Sequence, residues 1–129
     1  MRENAFRLRQ NDDLKEKIAD SCRENTGVVL SAVGSLKKVH LRLAGATTYL
    51  EKEGSFEIVS LTGTIAHGKA HLHISVSDEE GRVTGGHLKE GSLVDTTAEI
   101  VLGILEEYDA ERGYDESTGY EEISFRRLP

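Results

Sequence analysis

The sequence predicts an α+β domain built mainly of antiparallel β-sheet, with one principal helix near the N-terminus. Two observations carry this. Apolar and polar residues alternate with period two along most of the chain, in runs separated by short polar or glycine-containing turns. Only one early segment instead shows four-residue spacing, with Leu14, Ile18 and Cys22 on one stripe. Strands joined by short turns with a single early helix give this layered class.

Taken in order, Phe6-Arg-Leu-Arg9 alternates as a short strand, and Asn11 or Asp12 is placed to cap the helix. Gly27, after Asn25-Thr26, reads as the helix stop, and Val28 to Val33 as a β-branched run that turns at Gly34-Ser35. Val39, Leu41 and Leu43 alternate with Lys38, His40 and Arg42, giving the next strand an apolar face and a cationic, wet one. Thr47 to Lys52 is expected to be a strand, Glu53-Gly54 a turn, and Ser55 to Ile65 a long central strand with apolar residues on both faces. His71 to Ser77 and Arg82 to Leu88 flank the turn Asp78-Glu-Glu-Gly81, and an apolar run follows from Leu93 to Leu105. Tyr120 to Arg126 is expected to form the final strand.

A length of 129 residues suits one compact domain spanning 1–129, large enough to bury a core without disulfide or structural metal. No stretch approaches the ~18 consecutive apolar residues of a membrane span, and the first residues lack the apolar centre of a signal peptide. With a lone Cys22, which sits on the apolar helix stripe as a buried hydrophobe, a cytoplasmic location is expected. The net charge is −7, and Glu106 to Glu122 holds eight acids against Arg112 alone, so the remainder balances at 15 acids and 15 bases. Binding DNA phosphates requires a basic face that releases counterions, and no such cluster is present. The acidic segment is expected to be a solvated loop between two strands.

The strongest chemical signal is His71, His73 and His87. Alternation turns His71 and His73 to one face while Leu72, Ile74 and Val76 point to the core. A three-residue loop ending at Gly81 places His73 opposite His87, whereas a two-residue loop matches Val83 with the core face. The inward placement of both Val83 and Leu88 then requires a bulge, for which Gly85-Gly86 is the natural site. These glycines also allow another backbone or a ligand to come close to His87. Three neutral imidazoles and one open position suit a divalent transition metal, zinc first, with water or Glu99 as a fourth ligand. The competing reading is that the three histidines only hydrogen-bond at a subunit interface. His40 and His67 read as exposed polar residues of a strand and a turn. No nucleophile elbow, phosphate loop or dinucleotide fingerprint is present, and the sequence assigns no reaction.

Several segments together resemble the plant and prokaryote conserved (PPC) domain: Gly54-Ser-Phe-Glu-Ile-Val-Ser-Leu-Thr-Gly63, His71-Leu-His73, Gly81-Arg-Val-Thr-Gly-Gly-His87 and Thr97-Ala-Glu99. The likeness runs from Phe6-Arg-Leu to Asp115-Glu-Ser-Thr-Gly-Tyr120. It implies a largely antiparallel sheet around a helix, assembled as a homotrimer, and in plants attached to AT-hook segments that bind A·T-rich DNA. There is no Arg-Gly-Arg-Pro here, so the chain is similar to the stand-alone prokaryotic type. Ser55 replaces the Arg of the plant motif, and Asn11-Asp12-Asp13 replaces an early Gly-Glu-Asp. Three functions remain open: a metal-binding domain acting on a small polar ligand, a DNA-associated regulatory module with weak or indirect DNA contact, and a trimeric interaction scaffold.

Overall fold

The computed structural model describes residues 1–129. Its elements are β1 (Arg2–Arg9), α1 (Leu14–Asp20), β2 (Thr26–Arg42), β3 (Tyr49–Ala66), β4 (Lys69–Ser77), β5 (Val83–Leu88), β6 (Leu93–Leu105), β7 (Tyr108–Asp115) and β8 (Tyr120–Arg127). Six strands form one antiparallel sheet in the order β1-β6-β2-β3-β4-β5, and β7 pairs with β8 as a separate hairpin. The expected class, mainly antiparallel sheet with one short early helix, is what the chain adopts.

The sheet curls because its longest strands are irregular. The β2 ladder shifts register at three places against β6, and β3 shifts once against β4, between Ile58 and Ser60. Each shift bends a strand and increases its twist. The far end of β2 therefore reaches β5, where Leu41 pairs with Leu88 and Arg42 with His87, so β2, β3, β4 and β5 close into a ring. Leu41, Ile65, Leu72, Val76, Leu88 and Leu102 are fully buried inside the core cluster. The helix contributes Leu14 and Ile18 to the same core and lies against β4.

Several expected boundaries differ. Asp13, not Asn11 or Asp12, caps α1: its Oδ1 accepts from the Glu16 N–H at 3.0 Å, while Asn11 takes a positive φ in the preceding turn. The helix stops at Ser21, and Gly27 already belongs to β2. Cys22 lies past the helix end but is fully buried, as its place on the stripe implied. The turn expected at Gly34-Ser35 is absent. Gly34 lies within β2, and a Cβ there would collide with the Thr97 carbonyl oxygen of β6, so this glycine marks a close backbone approach. Glu53-Gly54 likewise lies inside the continuous strand β3.

The acidic segment is not a loop. Residues from Tyr108 to Asp115 form β7, and Tyr120 to Arg127 return as β8. Its carboxylates find partners across the ladder: Asp109 is the register partner of Arg126 and lies 3.5 Å from its guanidinium, and Glu107 lies 3.8 Å from Arg127. Ala110 is buried, and Asp109 ties the hairpin to the sheet by accepting from His67 Nε2 at 2.6 Å. Arg112 donates to Thr64 Oγ1 of β3 at 3.1 Å.

Candidate metal centre

The site grows from the alternation of β4. Leu72, Ile74 and Val76 are buried, which turns His71 and His73 to the outer face. Asp78 shapes the following turn, its Oδ1 accepting from the N–H groups of Glu80 and Arg82, both at 2.9 Å. The Asp78 N–H donates to the Arg82 carbonyl, leaving the three-residue loop that sets His73 opposite His87. The expected register therefore holds without the expected bulge. From Ser77↔Val83 to His73↔His87 the β4–β5 ladder has no shift, and Val83 simply faces solvent. Close approach is the task of the glycines. A Cβ on Gly86 would lie 2.7 Å from the Arg42 carbonyl oxygen, and one on Gly85 would lie 2.5 Å from that of Ile74.

The three imidazoles form a triangle. Ring centroids are 5.1 Å apart for His71 and His73, 5.2 Å for His71 and His87, and 5.7 Å for His73 and His87. One nitrogen from each ring lies within 4.8 Å of the others. His87 is half-buried, and its Nδ1 is a buried nitrogen without a hydrogen-bond partner. Such orphaned polar atoms are rare in folded proteins and call for a ligand or a role.

The surroundings of His87 and His71 favour their neutral forms. Burial first, then the positive charges of Arg42 and Lys15 and the neighbouring imidazoles, push His87 down to about 4. Partial burial and Arg112 also lower His71, with Glu122 acting in the opposite direction. A neutral imidazole offers the lone pair that a metal requires. The donor set is all nitrogen, with neither thiolate nor carboxylate in the group. That chemistry suits zinc, copper, iron or nickel rather than magnesium or calcium.

The structure thus brings His71, His73 and His87 together and places the other candidates elsewhere. Glu99 is exposed on β6, paired with Arg7 and Val33, outside the histidine group of its own chain. His40 Nδ1 donates to the Glu90 carbonyl at 2.7 Å, and His67 occupies the two-residue β3–β4 turn with φ 47°. Next to His73 and His87 opens a cleft of about 430 Å³, lined also by Arg42, Ser60, Thr62 and Ser75. Sequence reasoning put Arg42 on a wet strand face but did not connect it to the histidines, because only the β2–β5 pairing does so. A larger depression of about 660 Å³ lies between α1 and the hairpin, where Lys15 pairs with Glu90, Arg23 with Asp20 and Lys69 with Glu121. It contains no histidine.

Residues 1–106 match the family model of the Plants and Prokaryotes Conserved (PCC) domain. The chain belongs to this family. The β7–β8 hairpin falls beyond the part of the PCC domain that is matched. A solved protein of Salmonella enterica superposes with a TM-score of 0.92 at 32% identity, covering 98% of this chain and 94% of its own. A metal-containing protein of Archaeoglobus fulgidus gives a TM-score of 0.73 at 26% identity, covering 100% of this chain and 94% of its own. Among curated relatives, the bifunctional protein GlmU of a Synechococcus strain is 43% identical over 127 residues, 95% of this chain. The chain spans about a fifth of the length of that relative.

Proposed function

We propose that this PCC domain is a metal-binding protein, holding one divalent transition metal per protomer on His71, His73 and His87 and acting on a small polar ligand. The observation that carries this is the convergence of three imidazole nitrogens within 4.8 Å, one ring having a buried nitrogen with no protein partner. Tetrahedral coordination at 2.0–2.1 Å sets ligand atoms about 3.4 Å apart, within reach of modest side-chain rotations. Zinc is the first choice, since imidazole suits it and no thiolate is needed. When bound, such a metal supplies Lewis acidity to an oxygen-bearing ligand. The metal-containing Archaeoglobus protein, similar over the whole chain, is a second support.

We further propose that the domain acts as a homotrimer in the cytoplasm. Leu30 and Val33 of β2 and Val59 of β3 are 48%, 54% and 58% exposed, an aliphatic surface on neighbouring strands that suits burial against further copies. No helix is long and apolar enough to cross a membrane.

Elemental analysis of protein purified without a histidine tag tests the metal reading. About one transition-metal ion per protomer is expected; no metal, and no micromolar uptake of zinc, nickel, iron or manganese at pH 7.5, would return the histidines to a purely hydrogen-bonding role. Sedimentation at micromolar concentration tests the assembly, and a monomer there would remove it.

A further inference from the structure

We infer that the cleft beside the three histidines takes a small oxyanion, a ligand bearing a carboxylate or phosphate group, and that Arg42 is the residue that anchors it. This deepens the metal reading above by naming the class of ligand that would share the site.

The argument starts from charge. The chain carries 23 acids against 16 bases, yet no carboxylate lines this cleft, and Arg42 is its only permanently charged group. Arg42 takes part in none of the ion pairs of the protein, although Lys38, on the same strand, pairs with Glu51 at 2.9 Å. A half-buried guanidinium without a carboxylate, in so acidic a chain, leaves its donors unspent. Guanidinium is always protonated, and its planar fork matches carboxylate and phosphate oxygens two at a time.

Geometry places Arg42 on the face that carries the histidines. Arg42 and His87 are register partners on β2 and β5, so their side chains leave the sheet on the same face. Gly86 permits this closeness, since any Cβ there would strike the Arg42 carbonyl. From β8, Tyr120 places its ring 5.9 Å from the Arg42 guanidinium carbon, a cation–π contact that holds the side chain and leaves its edge N–H groups for a ligand. Hydroxyls complete the lining, with Ser60 and Ser75 hydrogen-bonded at 2.6 Å and Thr62 beside them. A volume of about 430 Å³ lies in the range of small-molecule sites.

Full-length protein, loaded with stoichiometric zinc, desalted and assayed for zinc content, is titrated calorimetrically with malonate, with inorganic phosphate and with the neutral analogue malonamide. The same titrations are run on protein stripped with EDTA. The expected result is submillimolar binding of malonate or phosphate, whichever oxyanion fits, and no binding of malonamide. Arg42→Met should weaken that binding at least tenfold with zinc content unchanged, and Tyr120→Ala should weaken it several-fold by releasing the guanidinium. Circular dichroism confirms that both variants are folded; if Arg42→Met is not, Arg42→Lys, which keeps the charge and loses the fork, replaces it and should also bind more weakly. The inference is overturned if neither oxyanion binds either form, if malonamide binds equally well, or if the Arg42 variants bind like the parent. A protein that takes up no zinc but binds oxyanion through Arg42 sinks the metal reading and leaves this one standing.

Discussion

His73 and His87 are register partners across the β4–β5 ladder, with ring centroids 5.7 Å apart, and His71 completes the triangle from two residues along the same strand. The arrangement is held from beneath. Leu72, Ile74 and Leu88 point into the core from between and beside the histidines, so the rings cannot exchange faces without emptying it.

The first expected outcome concerns the two classes of histidine. His87→Ala removes a converging imidazole and should lower zinc affinity about 100-fold or more, since even indirect partners of metal ligands contribute 10–100-fold. His40→Ala loses its bond to the Glu90 carbonyl and its ring contact with Tyr49, both away from the three histidines, and should bind zinc like the parent. Competition titration against a chromophoric chelator at pH 7.5 measures both, and equal affinities would contradict the site.

Alternation gives a second contrast on the same strand. Leu72→Ala, between His71 and His73, opens a cavity at a fully buried position and should cost about 2–5 kcal/mol. His71→Ala, on the solvent face, should change the stability of metal-free protein by about 0.5 kcal/mol or less. Urea unfolding of the two variants in EDTA checks the ordering.

How much of this was legible follows from the range of each interaction. The shared face of His71 and His73 is local, set by the two-residue period, and the meeting with His87 follows from the length of one turn. The apparent conflict over Val83 dissolved differently from the bulge expected at Gly85-Gly86: Val83 stays 61% exposed and the ladder stays regular. What sequence could not give is set by distant pairing. Gly34 reads as a turn until Thr97, more than sixty residues on, is seen to require its missing side chain. Arg42 joins the histidines only through the β2–β5 closure. The acidic run reads as solvated until Arg126 and Arg127 are placed opposite Asp109 and beside Glu107.

DNA binding should be weak and non-specific at physiological salt. Counterion release needs clustered Lys and Arg, and the hairpin places further acids such as Glu116, Glu121 and Glu122 in solvent-reachable positions on an already acidic chain. An anisotropy titration giving submicromolar, sequence-selective binding would favour a DNA-associated module instead.

The closure of the strand ring gives a mutational test at the glycine that precedes His87. Gly86→Ala places a methyl 2.7 Å from the Arg42 carbonyl oxygen, where backbone rather than a flexible side chain must yield. Overpacking of this kind costs about 1–3 kcal/mol. The same shift displaces His87, so thermal stability and zinc affinity should fall together, whereas Gly113→Ala, in open space on β7, should change neither.

Acid should loosen the hairpin before the sheet. Asp109 is held below the usual carboxylate range chiefly by its hydrogen bond from His67, which outweighs the opposing effect of desolvation, with the Ala110 N–H, the His67 charge and Thr26 adding smaller contributions. A carboxylate whose folded pKa lies below its unfolded value contributes stability fully above the unfolded value, near 3.8, and loses it as pH falls through the folded one. Docking of β7–β8 should therefore hold at pH 5 and weaken progressively below about 4, as Asp109 takes up a proton and its grip on His67 is lost. Amide exchange should show β7 and β8 losing protection in that window while β2 and β6 keep theirs. Asp109→Asn should bring the loosening to neutral pH and flatten its pH dependence; unchanged protection in that variant would mean that Ala110 and the Arg112–Thr64 bond hold the hairpin without the Asp109 carboxylate.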